Sequence, residues 1–173
     1  LAGIVLVAVN PAEQFGKAND SERKSEIGTI LSAIYQYQTS PTARGALPQC
    51  TVNSVVQAIP ECDDNYTTTF PTDANGDFDG AIELGTAITS YDCSTTLIPS
   101  YLREIPIDPS GTPSYTAANS GYWVCQDTTS GPVVRVYVIS EGVEVFTDDG
   151  GCNLDISDDS PDGGVLPVMC VSG

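Results

Sequence analysis

The hydrophobic pattern of this chain changes character twice, and each change marks a structural element. Residues 1–9, LAGIVLVAV, hold no polar side chain. They are apolar on every side, whereas a helix lying on a single domain shows a polar face. At nine residues the stretch falls short of the ~20 needed to span a bilayer, so it reads as the remainder of a longer apolar segment that needs a surrounding bundle or lipid. Pro11 follows, and a helix continuing through it should bend or loosen there, because proline lacks a backbone donor and crowds the preceding turn. From residue 12 to about 38, Ile27, Ile30, Leu31 and Ile34 recur at helical spacing, with Ala33 and Tyr37 widening the stripe. The first half of that helix is ringed by Glu13, Lys17, Asp20, Glu22, Arg23, Lys24 and Glu26, so residues 1–24 are expected to project and residues 25–173 to form the globular body.

Beyond Pro41 and Pro48 the helical period is lost, since the residue before each proline is pushed out of helical geometry. Residues 51–58 (TVNSVVQA) and 81–88 (AIELGTAI) fit either a short helix or a strand. Residues 121–126, 133–139 and 143–147 are rich in Val, Tyr and Trp and are separated by turn residues, which predicts an antiparallel three-stranded meander. Residues 165–171 predict an edge strand, because Pro167 argues against a central place in a sheet. A long helix followed by a run of strands predicts an α+β fold, with the helix covering one face of a small antiparallel sheet.

At 173 residues one domain suffices. The absence of histidine removes imidazole general bases, His-containing nucleophile pairs and His-containing zinc sites. The net charge of −17 is uneven. Residues 1–44 balance, with Lys17, Arg23, Lys24 and Arg44 against Glu13, Asp20, Glu22 and Glu26. From residue 45 onward Arg103 and Arg135 alone oppose nineteen acids, so nucleic acid is excluded as a partner and cations are favoured.

Six cysteines without a C-x-x-C pair point to three disulfides and an oxidising compartment. Of the fifteen connectivities six cysteines allow, the expected one joins Cys50 with Cys62, Cys93 with Cys125, and Cys152 with Cys170.

The sharpest chemical motif is DANGDFDG, residues 73–80, which sets Asp73, Asn75, Asp77 and Asp79 at alternate positions, as the first half of a calcium loop does. Position 6 is Phe78 and position 12 is Leu84, with Glu83 one place early, so the motif is a variant calcium loop or a solvated Asx/Gly turn. A second acidic run holds Asp148, Asp149, Asp155, Asp158, Asp159 and Asp162. If Cys152 pairs with Cys170, these carboxylates are held close together and favour a bound cation. With irregular spacing, a charged surface loop is an equal reading. Asn65-Tyr66-Thr67 matches the N-glycosylation pattern.

Residues 1–37, with their apolar run, internal proline and following charged segment, resemble the second part of the N-terminal helix of type IV pilins and of type II secretion pseudopilins. A weaker likeness lies in residues 97–124, where Pro106-Ile107-Asp108-Pro109 is similar to the Pro-x-Asp-Pro turn that leads into the sheet of many pseudopilins. The family's glycine-aromatic start with its nearby glutamate is not in this sequence. The resemblance implies a structural subunit of an extracellular filament, membrane-inserted before assembly and handled by inner-membrane assembly machinery, with copies of itself as partners. Leu1, Ile4, Val5, Leu6, Val7, Val9, Pro11 and Phe15 are then the assembly surface. The alternatives within this reading are a secretion pseudopilin and a calcium-dependent adhesive minor pilin, for which Tyr66, Phe70 and Tyr91 are exposed aromatic candidates. An enzyme would have to be a glycosidase built on paired carboxylates. Nothing in the sequence sets two acids at a defined separation, so a non-enzymatic role is expected.

Overall fold

A computed structural model of the chain describes residues 11–62, 81–109, 114–127, 135–141, 146–147 and 168–172. The charged and amphipathic segments together form one helix, α1 (Pro11–Thr39). Its stripe is where the sequence places it: Ile27, Ile30, Leu31, Ala33 and Ile34 are buried, and Ser21, Glu22, Ser25, Thr29, Ser32 and Gln36 are exposed. The helix stops at a tight turn in which the Gly45 N–H donates to the Gln38 carbonyl at 3.0 Å and the Arg44 N–H donates to Ser40 O at 3.1 Å. Within this turn Arg44 and Gly45 have φ of 52° and 94°, left-handed values that glycine takes without a steric cost.

The segment at 51–58 resolves into a hairpin of β1 (Gln49–Val52) and β2 (Val55–Ala58), paired antiparallel with Val52 opposite Val55. Its two turn residues, Asn53 and Ser54, both have positive φ, 50° and 64°. That is the type I′ geometry matching the twist of the strands. Of 81–88, Ile82–Glu83 forms a short strand, β3, and the chain then turns back so that Leu84 bridges Tyr91.

The main sheet adds β4 (Tyr122–Asp127), β5 (Arg135–Glu141), β6 (Phe146–Thr147) and β7 (Val168–Ser172), in the order β3-β4-β5-β7-β6. The antiparallel β4-β5 pair agrees with the predicted meander, but its third strand does not: β7 lies between β5 and β6, and β6 runs parallel to β7. The C-terminal strand, expected at an edge, is therefore interior. Its described ladder runs from Val168 to Ser172, and Pro167, on which the edge expectation rested, lies outside the described residues. The longer, more apolar β7 takes the inner place and the two-residue β6 the edge.

Helix α1 lies across β5 and β7. Ile27, Ile30, Leu31 and Ile34 join Tyr122 and Val124 of β4 and Val136 and Val138 of β5 in one core, closed at the side by Ile59, Leu84, Tyr91, Leu97, Leu102 and Ile105. On the opposite face of β4, Trp123 and Cys125 are also buried, Trp123 edge-on to Tyr115 at 6.4 Å. Among the described residues this is an α+β architecture of one helix and small, mostly antiparallel sheets.

Two disulfides bind it, and their connectivity corrects the expected one. Cys50 pairs with Cys93 and Cys62 with Cys125, instead of Cys50 with Cys62 and Cys93 with Cys125. Strand neighbours decide this. Thr51 and Asp92 exchange backbone hydrogen bonds at 3.0 Å, which sets Cys50 beside Cys93 with Cα atoms 4.7 Å apart. The Glu61–Gln126 bridge does the same for Cys62 and Cys125, at 5.0 Å. Cys152 lies outside the described residues, and with it the third expected pair.

Candidate functional site

The most distinctive chemistry in the described structure lies where the charged half of α1 meets the body. Asp20, Arg23 and Glu26 follow one another at three-residue spacing along one side of the helix, so all three face the same neighbour. That neighbour is the extended segment Pro106-Ile107-Asp108-Pro109 together with the start of β4; the Asp108 N–H donates to the Ser120 carbonyl at 2.8 Å. Arg23 meets Asp108 fork to fork: Nε donates to Oδ2 at 2.7 Å and Nη2 to Oδ1 at 2.9 Å. Its remaining amino group, Nη1, donates to Asp20 Oδ1 at 2.6 Å. Asp20, Arg23 and Asp108 are 3%, 5% and 4% exposed, so this is a buried ion triad. The planar guanidinium suits it, because one arginine can engage two carboxylates with directed N–H groups.

One turn further on, Tyr122 of β4 donates its phenol proton to Glu26 Oε2 in a short hydrogen bond. The junction thus gathers the carboxylates of Asp20, Glu26 and Asp108 around Arg23 and Tyr122. Burial acts to lower the Arg23 pKa, but the hydrogen bonds and charges of Asp108 and then Asp20 outweigh it and hold the group above its ordinary value. Burial, followed by the bond to Glu26 and the charges of Glu26 and Asp108, raises the Tyr122 phenol. Gly121 fits the same junction: its φ is +79°, and a Cβ there would come within 2.7 Å of the Asp108 Cβ and 2.9 Å of the Tyr115 ring. Only a residue without a side chain lets β4 approach the segment this closely.

Glu26 gives a pH prediction. Burial is the largest influence and raises its pKa above the ordinary glutamate value. The Tyr122 bond opposes this, and the charges of Glu22 and Asp108 add to it. A carboxyl raised in the folded state contributes stability fully present below the unfolded pKa of about 4.3 and lost as pH rises through the folded value. Glu26→Gln keeps an oxygen for Tyr122 and removes the charge. We expect it to melt slightly above wild type at neutral pH, with the difference shrinking to zero as the pH falls through that window, in paired thermal melts. A variant less stable than wild type at pH 7 would contradict this assignment.

Sequence reasoning named Asp20, Arg23 and Glu26 as part of a projecting charged segment and missed their role. Packing against the body begins at Asp20, ahead of the expected division at residue 24. No local signal marks Asp108 or Tyr122 as their partners. A buried arginine in a chain with 23 acids will find a carboxylate, but which one depends on the path of the chain.

Of the residues singled out in the sequence, Phe15 is 70% exposed on α1. Pro11 lies within the helix. Leu1, Ile4, Val5, Leu6, Val7 and Val9 lie outside the described residues, as do Asp73, Asn75, Asp77, Asp79, Asp148, Asp149, Asp155, Asp158 and Asp159. Glu83, the remaining candidate calcium ligand, accepts hydrogen bonds from the Gly121 N–H at 2.9 Å and from Asn119 Nδ2 at 2.8 Å. It thereby ties β3 to the turn before β4. Tyr91, a candidate exposed aromatic, is instead buried, its hydroxyl donating to the carbonyls of Pro48 and Gln57 at 3.2 and 3.0 Å. Among the described residues no group of three or more acids or cysteines is arranged to hold a metal, and no helix is long and apolar enough to cross a membrane.

No family model matches the chain, and no match is found among curated proteins or among solved structures.

Proposed function

We propose that this chain is a structural subunit that polymerises through its N-terminal helix into an extracellular, type IV pilus-like filament. The observation that carries the reading is the division of labour along α1. From Asp20 onward one side of the helix is bound into the body, while before it Gln14, Phe15, Lys17 and Ala18 stand exposed. Phe15, 70% exposed, lies on this unanchored stretch of the helix. Residues 1–9, apolar all round, extend that surface in sequence. In this reading the acidic body faces outward, the helices of successive copies pack together and exclude water, and the disulfides fit a compartment outside the cytoplasm.

The test is to shear surface appendages from cells that make the protein and label them with antibodies to the body. Filaments decorated along their length are the expected result. Recovery of the chain solely as a monomer, with no labelled filament, would overturn the reading. Label confined to filament tips would favour an adhesive minor subunit.

A further inference from the structure

We propose that the outer edge of β2 is a docking edge for a second copy of this chain, which adds its own β2 in antiparallel register. The proposal is independent of the filament reading, since a two-fold contact closes on itself and does not propagate a helix.

All four residues of β2 are exposed. The hydrogen-bond pattern shows which backbone groups are presented. Thr51 uses its N–H and carbonyl on Asp92, away from β2, so its cross-strand partner Val56 likewise points its own N–H and carbonyl away from β1. Ala58, two residues along, does the same. Among the described residues nothing pairs with these groups. The edge has no lysine, no proline and no inward charge, the usual defences of an exposed strand. Its side chains are apolar: Val55 is 59% and Val56 63% exposed. Ile88, 68% exposed, is brought to the hairpin turn by the hydrogen bond from Asn53 N–H to its carbonyl at 2.7 Å.

Charge selects the occupant. The chain carries −17, yet residues 45–60 and 84–91, which build this surface, contain no charged residue. A cationic partner would be drawn to the acidic segments, and an anionic one meets no cation here. An uncharged strand is what fits, and β2 is itself such a strand. With the two-fold axis at Gln57, Val56 of one copy lies opposite Ala58 of the other, and each donates and accepts one backbone hydrogen bond. Neutral edges let two strongly acidic chains meet with their charges held apart.

Sedimentation velocity over a concentration series tests this. Wild type is expected to show a reversible monomer–dimer equilibrium that strengthens with added salt, as screening relieves repulsion between the bodies. Val56→Pro removes one outward N–H, and Val56→Glu places like charges across the axis. Each is expected to weaken association by roughly tenfold or more without lowering Tm. Phe15→Glu adds the same charge away from the edge and should dimerise as wild type does. A wild type that stays monomeric at every concentration, or a dimer that survives both Val56 variants, would overturn the proposal. Association lost in Phe15→Glu but kept in the Val56 variants would also overturn it, and would instead support assembly through the helix.

Discussion

Replacing Arg23 with alanine is expected to lower the unfolding free energy by about 3–5 kcal/mol, the usual cost of removing one partner from a buried ion pair. The reason is that Arg23 is shared between two buried carboxylates. Asp20 and Asp108 are both bound by Arg23, and without the guanidinium two buried carboxylates lose the hydrogen bonds it donates and its charge. Urea unfolding followed by circular dichroism would measure the loss. Arg23→Lys separates charge from geometry: an ammonium keeps the charge but cannot span both oxygens of Asp108 and reach Asp20 as well. It should fall between wild type and alanine. Asp108→Asn should cost less than Arg23→Ala, because it leaves Arg23 a carboxylate at Asp20 and strands no buried charge. If alanine at position 23 costs under about 1 kcal/mol, the triad behaves as an exposed ion pair and its structural role fails.

The second large effect is expected at the disulfides. Cys62 and Cys125 are 63 residues apart and Cys50 and Cys93 are 43 apart. Closing loops of these lengths restricts the unfolded chain enough to stabilise the fold by about 4 kcal/mol each on the chain-entropy account. The paired substitution Cys62→Ser with Cys125→Ser should lose most of that amount in urea unfolding. Cys62→Ser with Cys93→Ser, which breaks both bonds, should lose more. The same variants test connectivity, because with Cys50–Cys62 and Cys93–Cys125 pairs both variants would break both bonds and lose the same amount. Peptide mapping of the oxidised protein should yield fragments linking position 50 to 93 and 62 to 125.

What the sequence made legible was periodic. Ile27, Ile30, Leu31 and Ile34 recur at a spacing that has one physical solution, so the helix from 12 to 38 and its buried stripe could be read directly, and the structure extends it by one residue at each end. The Val- and Tyr-rich runs at 121–126 and 133–139 likewise became β4 and β5. Order within the sheet was not legible, because alternation fixes the faces of a strand and says nothing about its neighbours. Thus β7 entered between β5 and β6 with no local mark beyond its apolar content. The hairpin at 49–58 was ambiguous for a different reason. Its turn is Asn-Ser, and serine rarely takes the left-handed conformation that Asn-Gly would have advertised. The disulfides and the Arg23–Asp108 fork are both long-range, 43, 63 and 85 residues apart, and depend on which strands meet. For the candidate site, Asp20, Arg23 and Glu26 were visible as charges, but their burial follows from a segment that reaches the helix only in the folded chain.

The helix has a mechanical consequence. At 29 residues α1 is about 43 Å long and is a single rod. A pull along its axis from the Pro11 end reaches the body at Asp20 and Arg23, where the guanidinium fork grips Asp108. Behind it, Ile27, Ile30, Leu31 and Ile34 are seated over the sheet. Tension therefore loads the ion pair and the apolar contacts together, in shear, and they must yield at once for the rod to slide. A helix held by its apolar face alone could be peeled away turn by turn. The buried arginine sits at the point where peeling would begin.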